Sequence, residues 1–222
     1  MGMLTGLKAI EDAVNRASGD DAPKAKWVSL KGGQQVLIHF LQEFDEDNKN
    51  YSPKNGTVRL LVEHSSPGNY RRKAACTADN GGECVGCEMA RANPKTGWHQ
   101  KSRLYTNVLV NDGKNDPYVA ILSQGLSGKA ITPTLLEYAK ENDGITTSWY
   151  KLTRTGSDVS STSYSLIETK QGDPIDVTDY ELYDLEEVVT RHIVYGDQRA
   201  FYEIDKAETD SSAPAEDDAF TW

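Results

Sequence analysis

The segment 65–100 constrains this chain most, because it holds all three cysteines and has little apolar periodicity. A stretch of that length without a hydrophobic pattern needs another source of order. The three clustered cysteines have neither the even number nor the wide spread of a disulfide scaffold. We therefore predict a metal site of the kind found where thiols stay reduced.

The predicted ligands are one histidine and the three cysteines, namely His64, Cys76, Cys84 and Cys87. The last two form a CxxC knuckle, in which Gly86 relieves the tight turn that lets both thiolates face one ion. Soft thiolates and an imidazole in tetrahedral geometry select zinc. Because the set fills all four positions, we expect one structural Zn²⁺ per chain, which contributes on the order of 10 kcal/mol to ordering the segment.

The sequence alone leaves two alternatives for this cluster. His99 follows Cys87 in the chain and is an alternative fourth ligand. The second alternative is that the three cysteines are free thiols and the histidine lies at the surface. The clustering of the cysteines and the CxxC pair make this alternative less favourable. We favour His64 because it ends a predicted strand, and we interpret His39, in the middle of another strand, as a barrel residue.

The rest of the chain alternates short apolar runs with turn residues, a pattern typical of β-strands. Strands are predicted at 27–30, 34–41, 57–64, 104–110, 118–123, 146–153 and 163–169. Helices are predicted at 4–17, 133–142 and 179–194. We expect a mainly β (α+β) fold, an OB-fold-like five-stranded barrel with an inserted zinc-binding subdomain and flanking helices.

Composition divides the chain into three parts. Residues 1–22 are expected to form an N-terminal helix and linker. Residues 23–206 are expected to form the OB-fold domain, with the zinc insertion at 64–100. Residues 207–222 are rich in Asp, Glu, Ser, Ala and Pro, and they are expected to be a disordered acidic tail.

The net charge of −10 is unevenly distributed, since residues 24–154 are mildly basic and residues 203–222 are strongly acidic. Such asymmetry suggests that the basic part of the chain binds polyanions and that the acidic tail binds partner proteins. No apolar run is long enough to span a bilayer, and the start lacks the pattern of a secretory signal. We expect a cytoplasmic protein with no membrane partner. With no nucleophile–base pattern in the sequence, we expect no enzymatic activity.

Cations and aromatic residues recur side by side along the basic part of the chain. Single-stranded nucleic acid is bound by these two elements, because cations track phosphates and rings stack on unpaired bases at about 1–3 kcal/mol each. The plain alternative is that the aromatics are core residues and the cations are solvated. The residues predicted to bind single-stranded DNA are Trp27, Lys31, Tyr70, Arg71, Arg72, Lys73, Trp98, Lys101, Arg103, Tyr105, Trp149, Lys151 and Arg154.

The acidic tail ends with two aromatic residues, which a solubilising tail does not need. We predict that Phe220 and Trp222 anchor the tail in apolar pockets of partner proteins, while Asp217 and Asp218 steer the encounter. The same acids are expected to lie across the basic groove of the body and to mimic phosphates. Displacement by DNA then frees the tail for a polymerase, helicase or nuclease.

In these residues the chain resembles the family of zinc-containing single-stranded-DNA-binding proteins of T-even-like bacteriophages. His64, Cys76, Cys84 and Cys87 match the order of the family's zinc ligands, and residues 101–110 resemble its basic-aromatic-Asn-aliphatic strand. The resemblance implies an OB-fold that coats and protects single-stranded DNA in phage DNA replication, recombination and repair, in the host cell cytoplasm. The family's basic N-terminal self-association motif has no counterpart in residues 1–22.

A second hypothesis is a zinc-stabilised protein-binding module that regulates host transcription. Its basic surface would then meet a polymerase rather than a nucleic acid. Affinity for a pyrimidine single strand, compared with affinity for duplex, separates the two hypotheses.

Overall fold

The computed structural model describes residues 25–204 apart from 68, 99, 159, 171 and 173, without the side chains of residues 70, 71, 79 and 80. The helix predicted at 4–17, the acidic tail and His99 therefore lie outside the described residues. The side chains of Tyr70 and Arg71 and the tail residues Asp217, Asp218, Phe220 and Trp222 also lie outside them.

The described chain forms one antiparallel sheet with short helices around it. The strands are β1 Gln35–Phe40, β2 Arg59–Ser66, β3 Asn69–Ala75, β4 Lys101–Asn111, β5 Tyr118–Gly125, β6 Trp149–Thr155 and β7 Ser163–Thr169. The α-helices are α1 Val85–Ala92, α2 Thr132–Asn142, α3 Leu185–Val189 and α4 Tyr195–Tyr202, with 3₁₀ turns at Thr77–Asn80 and Val177–Asp179. In the described part of the chain, no helix combines the length and apolar character needed to cross a bilayer.

The long strand β4 organises the sheet, because it has partners along both edges. Tyr105 has Arg59 of β2 opposite it on one edge and Ser123 of β5 opposite it on the other. Farther along, Val108 faces Phe40 of β1 on the edge away from β5. Strands β2 and β1 therefore occupy successive parts of one edge of β4, and the strands paired with them extend the sheet in both directions.

The strand order is β3-β2-β4-β1-β6-β7, with β5 on the other edge of β4. Among the described residues no ladder joins β7 to β3 or to β5, so the sheet is open. The predicted closed five-stranded barrel is therefore not confirmed. Part of the physical reason is that the segment around the cysteines supplies a strand of its own, β3, which lengthens the sheet beyond β2. The mainly β character and the cysteine–histidine cluster agree with prediction.

The main core lies between β1, β4, β5 and β6 and the helix α2. Apolar residues point inward at every second position of β1 and β4, as expected for a half-buried sheet. The buried members of this core are Val36, Ile38, Phe40, Leu104, Val108, Val110, Ala120, Leu122, Ile131, Leu135, Ile145, Tyr150, Leu152 and Leu166.

Two elements differ from the sequence prediction. The helix predicted at 179–194 is instead the short helix α3, an extended link and the separate helix α4. Asp184 caps α3 by accepting from the backbone N–H groups of Glu186 and Glu187, and the β-branched run that follows leaves the helix at Thr190. The strand predicted at 27–30 is reduced to one bridge, between Trp27 and Ile121.

Candidate metal centre and nucleic-acid interface

Four predicted ligands meet in one place. The ligand atoms of His64, Cys76, Cys84 and Cys87 all lie within 4.8 Å of one another. The first three residues are buried and Cys87 is partly buried. This is the only such group of histidine, cysteine and acidic side chains in the described part of the chain.

The spacing of the donor atoms fits a tetrahedral zinc ion. With Zn–S bonds of about 2.3 Å, a tetrahedron places its sulfur atoms about 3.8 Å apart. The Sγ of Cys76 lies 3.8 Å from Sγ of Cys84 and 3.5 Å from Sγ of Cys87. Nε2 of His64 lies 3.3 Å from Sγ of Cys87. The residues present therefore fit zinc in number, in donor chemistry and in distance.

Three elements bring the four predicted ligands together. His64 lies in β2 and Cys76 follows β3, and these two strands pair as neighbours. Cys84 is the N-cap residue of α1, and Cys87 lies in its first turn. The link between β2 and β3 is short, whereas a 3₁₀ turn carries the chain from Cys76 to the knuckle.

Close packing holds the imidazole of His64 in place. A Cβ on Gly86 would lie 2.4 Å from Cγ of the His64 ring, so no larger residue fits there without movement. Nδ1 of His64 is buried and has no hydrogen-bond partner among the described residues. The ring orientation is thus set by the backbone of the knuckle rather than by a hydrogen bond to Nδ1.

The thiols are unequal when no ion is bound. Burial raises the pKa of the Cys84 thiol, but hydrogen bonds with His64 and with the backbone of Cys87 and Thr77 outweigh it and lower the pKa to about 5. Burial, the Cys76 thiol and the negative charge of Cys84 raise the pKa of Cys87 to about 12. A zinc ion takes thiolates as ligands, so its binding releases the protons that remain on the sulfur atoms.

The sulfur atoms and the knuckle have further contacts with neighbouring side chains. Nε2 of Gln100 donates to Sγ of Cys76 at 3.4 Å and to Sγ of Cys87 at 3.5 Å. From α4, the Gln198 side chain accepts from the backbone N–H of Val85 at 2.8 Å. A small core of Ala74, Val85, Trp98, Tyr202 and Ile204 packs beside it. The metal centre is therefore joined to the C-terminal helix α4 as well as to the sheet.

Next to the His64–Cys76–Cys84–Cys87 cluster, one face of the sheet carries four of the thirteen predicted DNA contacts, Lys73, Lys101, Arg103 and Tyr105. Residues directly opposite each other in an antiparallel pair share a face. The register places Arg59 opposite Tyr105, Leu61 opposite Arg103, Glu63 opposite Lys101 and Ser65 opposite Lys73. We call this surface of β2, β3 and β4 the basic face, defined by Arg59, Lys73, Lys101, Arg103 and Tyr105.

A cleft of about 450 Å³ opens on the basic face. Trp27 and Tyr105 meet in it edge to face, with their ring centroids 6.3 Å apart, and Trp27 remains 45% exposed. Nζ of Lys73 lies 5.8 Å from the centroid of the Tyr105 ring and 3.3 Å from Oε2 of Glu63. This first cleft is lined by Trp27, Glu63, Lys73, Ala74, Ala75, Tyr105 and residues 187–192.

Three predicted stacking residues are buried instead, namely Trp98, Trp149 and Tyr105, which is 1% exposed. Trp98 is 5% exposed and packs edge-on against Tyr202, with ring centroids 4.9 Å apart. Trp149 is 6% exposed and packs against His39 at 5.3 Å. These rings are part of the core, which is the alternative to DNA binding that the sequence analysis gave for the aromatic residues. His39 lies in β1 with its Nδ1 2.9 Å from the carbonyl oxygen of Phe40, and burial lowers its pKa.

Two predicted cations hold the fold together. Arg72 donates to the carbonyl oxygen of Phe201 at 2.7 Å and pairs with Glu203 at 3.0 Å, so it fastens the end of α4. Arg154 donates to the carbonyl oxygen of Leu30 at 2.6 Å and to Oγ1 of Thr162. Neither guanidinium is available for a phosphate without giving up these contacts.

The other predicted cations lie in two places. Arg103 and Lys101 are on the basic face, where Nε of Arg103 donates to Oγ of Ser123 at 2.9 Å. Lys31 is exposed in the turn before β1, and Lys151 is partly buried in β6, on the far side of β1 from β4. The predicted DNA-binding residues are therefore spread over several places in the fold. Of these residues, Trp27, Lys73 and Tyr105 line the first cleft.

The sequence prediction missed two cations near this cleft. Arg59 is on the basic face by register, and Arg191 lies in the extended link between α3 and α4 and lines the first cleft. Arg59 lies inside the strand predicted at 57–64, and its place on the basic face depends on the pairing of β2 with β4, which puts it opposite Tyr105. The sequence contains no local signal of that pairing.

No family model, curated protein or solved structure matches the chain. The geometry of the metal centre and of the basic face therefore provides the basis for any functional assignment.

Proposed function

We propose that this protein binds single-stranded DNA without enzymatic activity, and that it coats and protects the strand in phage DNA replication, recombination and repair. The observation that carries the proposal is the first cleft. There an exposed tryptophan, a tyrosine and a lysine lie together beside the metal centre. This combination suits an unpaired strand, which offers flat bases and a charged backbone at the same place.

The size and chemistry of the cleft favour a single strand over a duplex. Its volume of about 450 Å³ is in the range of pockets for small ligands, so it suits a few unpaired bases. Trp27 presents nearly half of its surface, which gives a base a ring to stack on. In a duplex the bases are already stacked on each other, so the exposed ring of Trp27 has no free base to stack on.

The proposed role of zinc in this account is to hold the wall of the cleft. Lys73 belongs to β3, which ends one residue before Cys76. The same strand is also held by its backbone, because the N–H of Ala75 donates to the carbonyl oxygen of Arg191 at 2.9 Å. Zinc bound to His64 and the cysteines would fix β3 against β2, and with it the position of the Lys73 ammonium group.

An OB-like arrangement is part of the proposal. Its support is the long strand β4, which has β2 and β1 along one edge and β5 along the other. Such a strand can curve between two halves of a sheet, as the long strands of small β-barrels do. The open sheet then leaves the basic face accessible between the halves.

The acidic tail completes the proposed function. We propose that Asp217, Asp218, Phe220 and Trp222 recruit a polymerase, helicase or nuclease to the coated strand, in the cytoplasm of the host cell. The support is the composition of the tail, which joins acids that steer an encounter to aromatics that anchor it.

Fluorescence titration of the zinc-loaded chain tests the proposal. A pyrimidine oligonucleotide should change the tryptophan and tyrosine emission at low salt, whereas the same sequence as a duplex should bind weakly. Trp27→Ala should lose most of the single-strand affinity. Tyr195→Ala is the matched control, because it removes an exposed aromatic that does not line the first cleft.

Failure to bind the single strand at low salt would overturn the proposal. If the chain instead bound an RNA polymerase with the same affinity in the wild type and in Trp27→Ala, the protein-binding hypothesis would replace it.

A further inference from the structure

A short segment crosses the basic face and divides it. This crossing segment, residues 183–192, contains α3 and is fixed at both ends. At one end, Asn107 of β4 donates from Nδ2 to the carbonyl oxygen of Tyr183 and accepts from its N–H, each at 3.0 Å. At the other end, Arg191 accepts from the backbone N–H of Ala75.

A second cleft lies on the other side of the crossing segment. Its volume is about 540 Å³, and its lining residues include Gln42, Lys54, Asn55, Thr57, Arg59 and residues 182–186. The first cleft is lined by residues 187–192 of the same segment. Helix α3 is therefore the partition between two clefts that open on one sheet surface.

One ion pair connects the partition to the sheet. Nη2 of Arg59 lies 2.9 Å from Oε2 of Glu186, and the other carboxylate oxygen lies 2.7 Å from Nε2 of His192. The side chains of Arg59 and Glu186 are 49% and 46% exposed. An ion pair with that exposure is weak, so a competing anion displaces the carboxylate at little cost.

The position of Arg59 continues the proposed path of the strand. Arg59 lies directly opposite Tyr105, whose ring lines the first cleft. Lys54 adds a second cation to the second cleft, where its Nζ donates to the carbonyl oxygen of Thr178. A single strand that continues from the first cleft past α3 would therefore place its next phosphate near Arg59.

We propose that the second cleft is a phosphate site for the continuing single strand, and that Arg59 exchanges the Glu186 carboxylate for a backbone phosphate. This inference rests on the proposed function. A guanidinium holds phosphate by two parallel hydrogen bonds, which is stronger than its single contact with Glu186. Asp184 also lines the second cleft, but its Oδ1 accepts from the backbone N–H groups of Glu186 and Glu187, and the ion pair of Arg59 is with Glu186.

The test removes the competing charge without changing the size of the side chain. Glu186→Gln should raise the affinity for a pyrimidine oligonucleotide by about two- to fivefold at low salt, since an exposed pair is weak. The matched control is Glu181→Gln, which removes an exposed acid close to the crossing segment in the chain. Among the described residues Glu181 has no ion-pair partner. The control should raise the affinity less.

A second substitution identifies the cation. Arg59→Gln should flatten the log–log dependence of affinity on salt by about 0.7, the loss of one phosphate contact on a single strand. In the Arg59→Gln background, Glu186→Gln should no longer raise the affinity more than Glu181→Gln does. Zinc content and the thermal midpoint of each variant should match the wild type, because all three side chains are exposed.

The outcomes separate this inference from the proposed function. If the wild type binds no oligonucleotide, the proposed function fails and this inference fails with it. If the wild type binds but Glu186→Gln and Glu181→Gln have equal effects, only the exchange site is overturned. An unchanged salt dependence in Arg59→Gln would also overturn the exchange site alone.

Discussion

Gly86 lies against His64 so closely that a Cβ on residue 86 would be 2.4 Å from Cγ of the imidazole. The Cys84–Cys87 knuckle and the histidine from β2 are therefore packed together by contacts between protein atoms alone. A side chain at position 86 must push the ring, and the ring carries the fourth ligand atom. From the sequence pattern CxGC, the glycine is explained by the tight turn of the knuckle. The structure shows a second reason, which is the close contact with the imidazole.

Gly86→Ala should weaken zinc binding by roughly tenfold or more, the range seen when support of a ligand is disturbed. The physical reason is displacement of the His64 ring from the other donors. Competition with a chromophoric chelator measures the affinity. Gly196→Ala is the control, since a Cβ there meets nothing within 4 Å and the residue lies in α4. Equal zinc affinity in both variants would show that the contact does not matter.

Cys84→Ser should loosen residues 64–100 together with α4. The loss of one thiolate weakens the ion that orders the segment, and α4 depends on that segment through Gln198 and Val85. Limited proteolysis followed by mass spectrometry should show new cleavage in both regions but not in β4–β5. Protection equal to that of the wild type would mean that packing alone holds the segment.

Trp27→Ala and Lys73→Ala should weaken DNA binding in different ways. Removing the ring costs about 1–3 kcal/mol of stacking and leaves the salt dependence unchanged, because stacking is not ionic. Removing the ammonium group should flatten the log–log salt slope by about 0.7. Titrations over a series of salt concentrations distinguish the two. Identical slopes in both variants would argue against a phosphate contact at Lys73.

The buried carboxylate of Glu43 should be important for stability. It accepts from the backbone N–H groups of Ile145 and Thr146 at 2.8 and 3.0 Å. Glu43→Ala leaves these buried donors unpaired and should lower the free energy of unfolding by about 3 kcal/mol. Urea denaturation measures the change. Glu137→Ala, at an exposed helical position, should change it by less than about 0.5 kcal/mol.

Deleting residues 207–222 should tighten single-strand binding, most strongly at low salt, where Coulomb attraction is least screened. We expect this because the acids of the tail are predicted to compete with phosphates for the basic groove of the body. Phe220→Ala combined with Trp222→Ala should leave the DNA affinity nearly unchanged and abolish partner binding. Equal affinity of the truncated and full-length chains at low salt would mean that the tail never occupies the groove.

The sequence predicts those parts of the molecule whose signal is local. The clustered cysteines and the CxxC pair indicated the group of four side chains that the structure brings together, and apolar alternation located most of the strands, because both signals depend on neighbours in the chain. The burial of Trp98 was missed because its partner Tyr202 is far away in the sequence. The role of Arg59 was missed for the same reason, since only the pairing of β2 with β4 places it opposite Tyr105.

Strand β3 and the open form of the sheet were also beyond the sequence. Strand β3 has the sequence NYRRKAA, whose polar residues give no apolar alternation. Its pairing with β2 follows from the meeting of His64 with Cys76, which is a tertiary contact. The helix predicted at 179–194 failed because its apolar spacing continues past Thr190, where the chain becomes extended to reach β3.

The most direct experiment asks whether binding of the single strand depends on the metal. The affinity for a pyrimidine oligonucleotide of about 16 nucleotides, the upper site size of a single OB-fold, is measured on the zinc-loaded chain, after removal of zinc, and after zinc is restored. We expect strong binding by the zinc-loaded chain, loss of most of the affinity after zinc is removed, and recovery when zinc is restored. Binding by the metal-free chain equal to that of the zinc-loaded chain would contradict this expectation, as would no binding by either form.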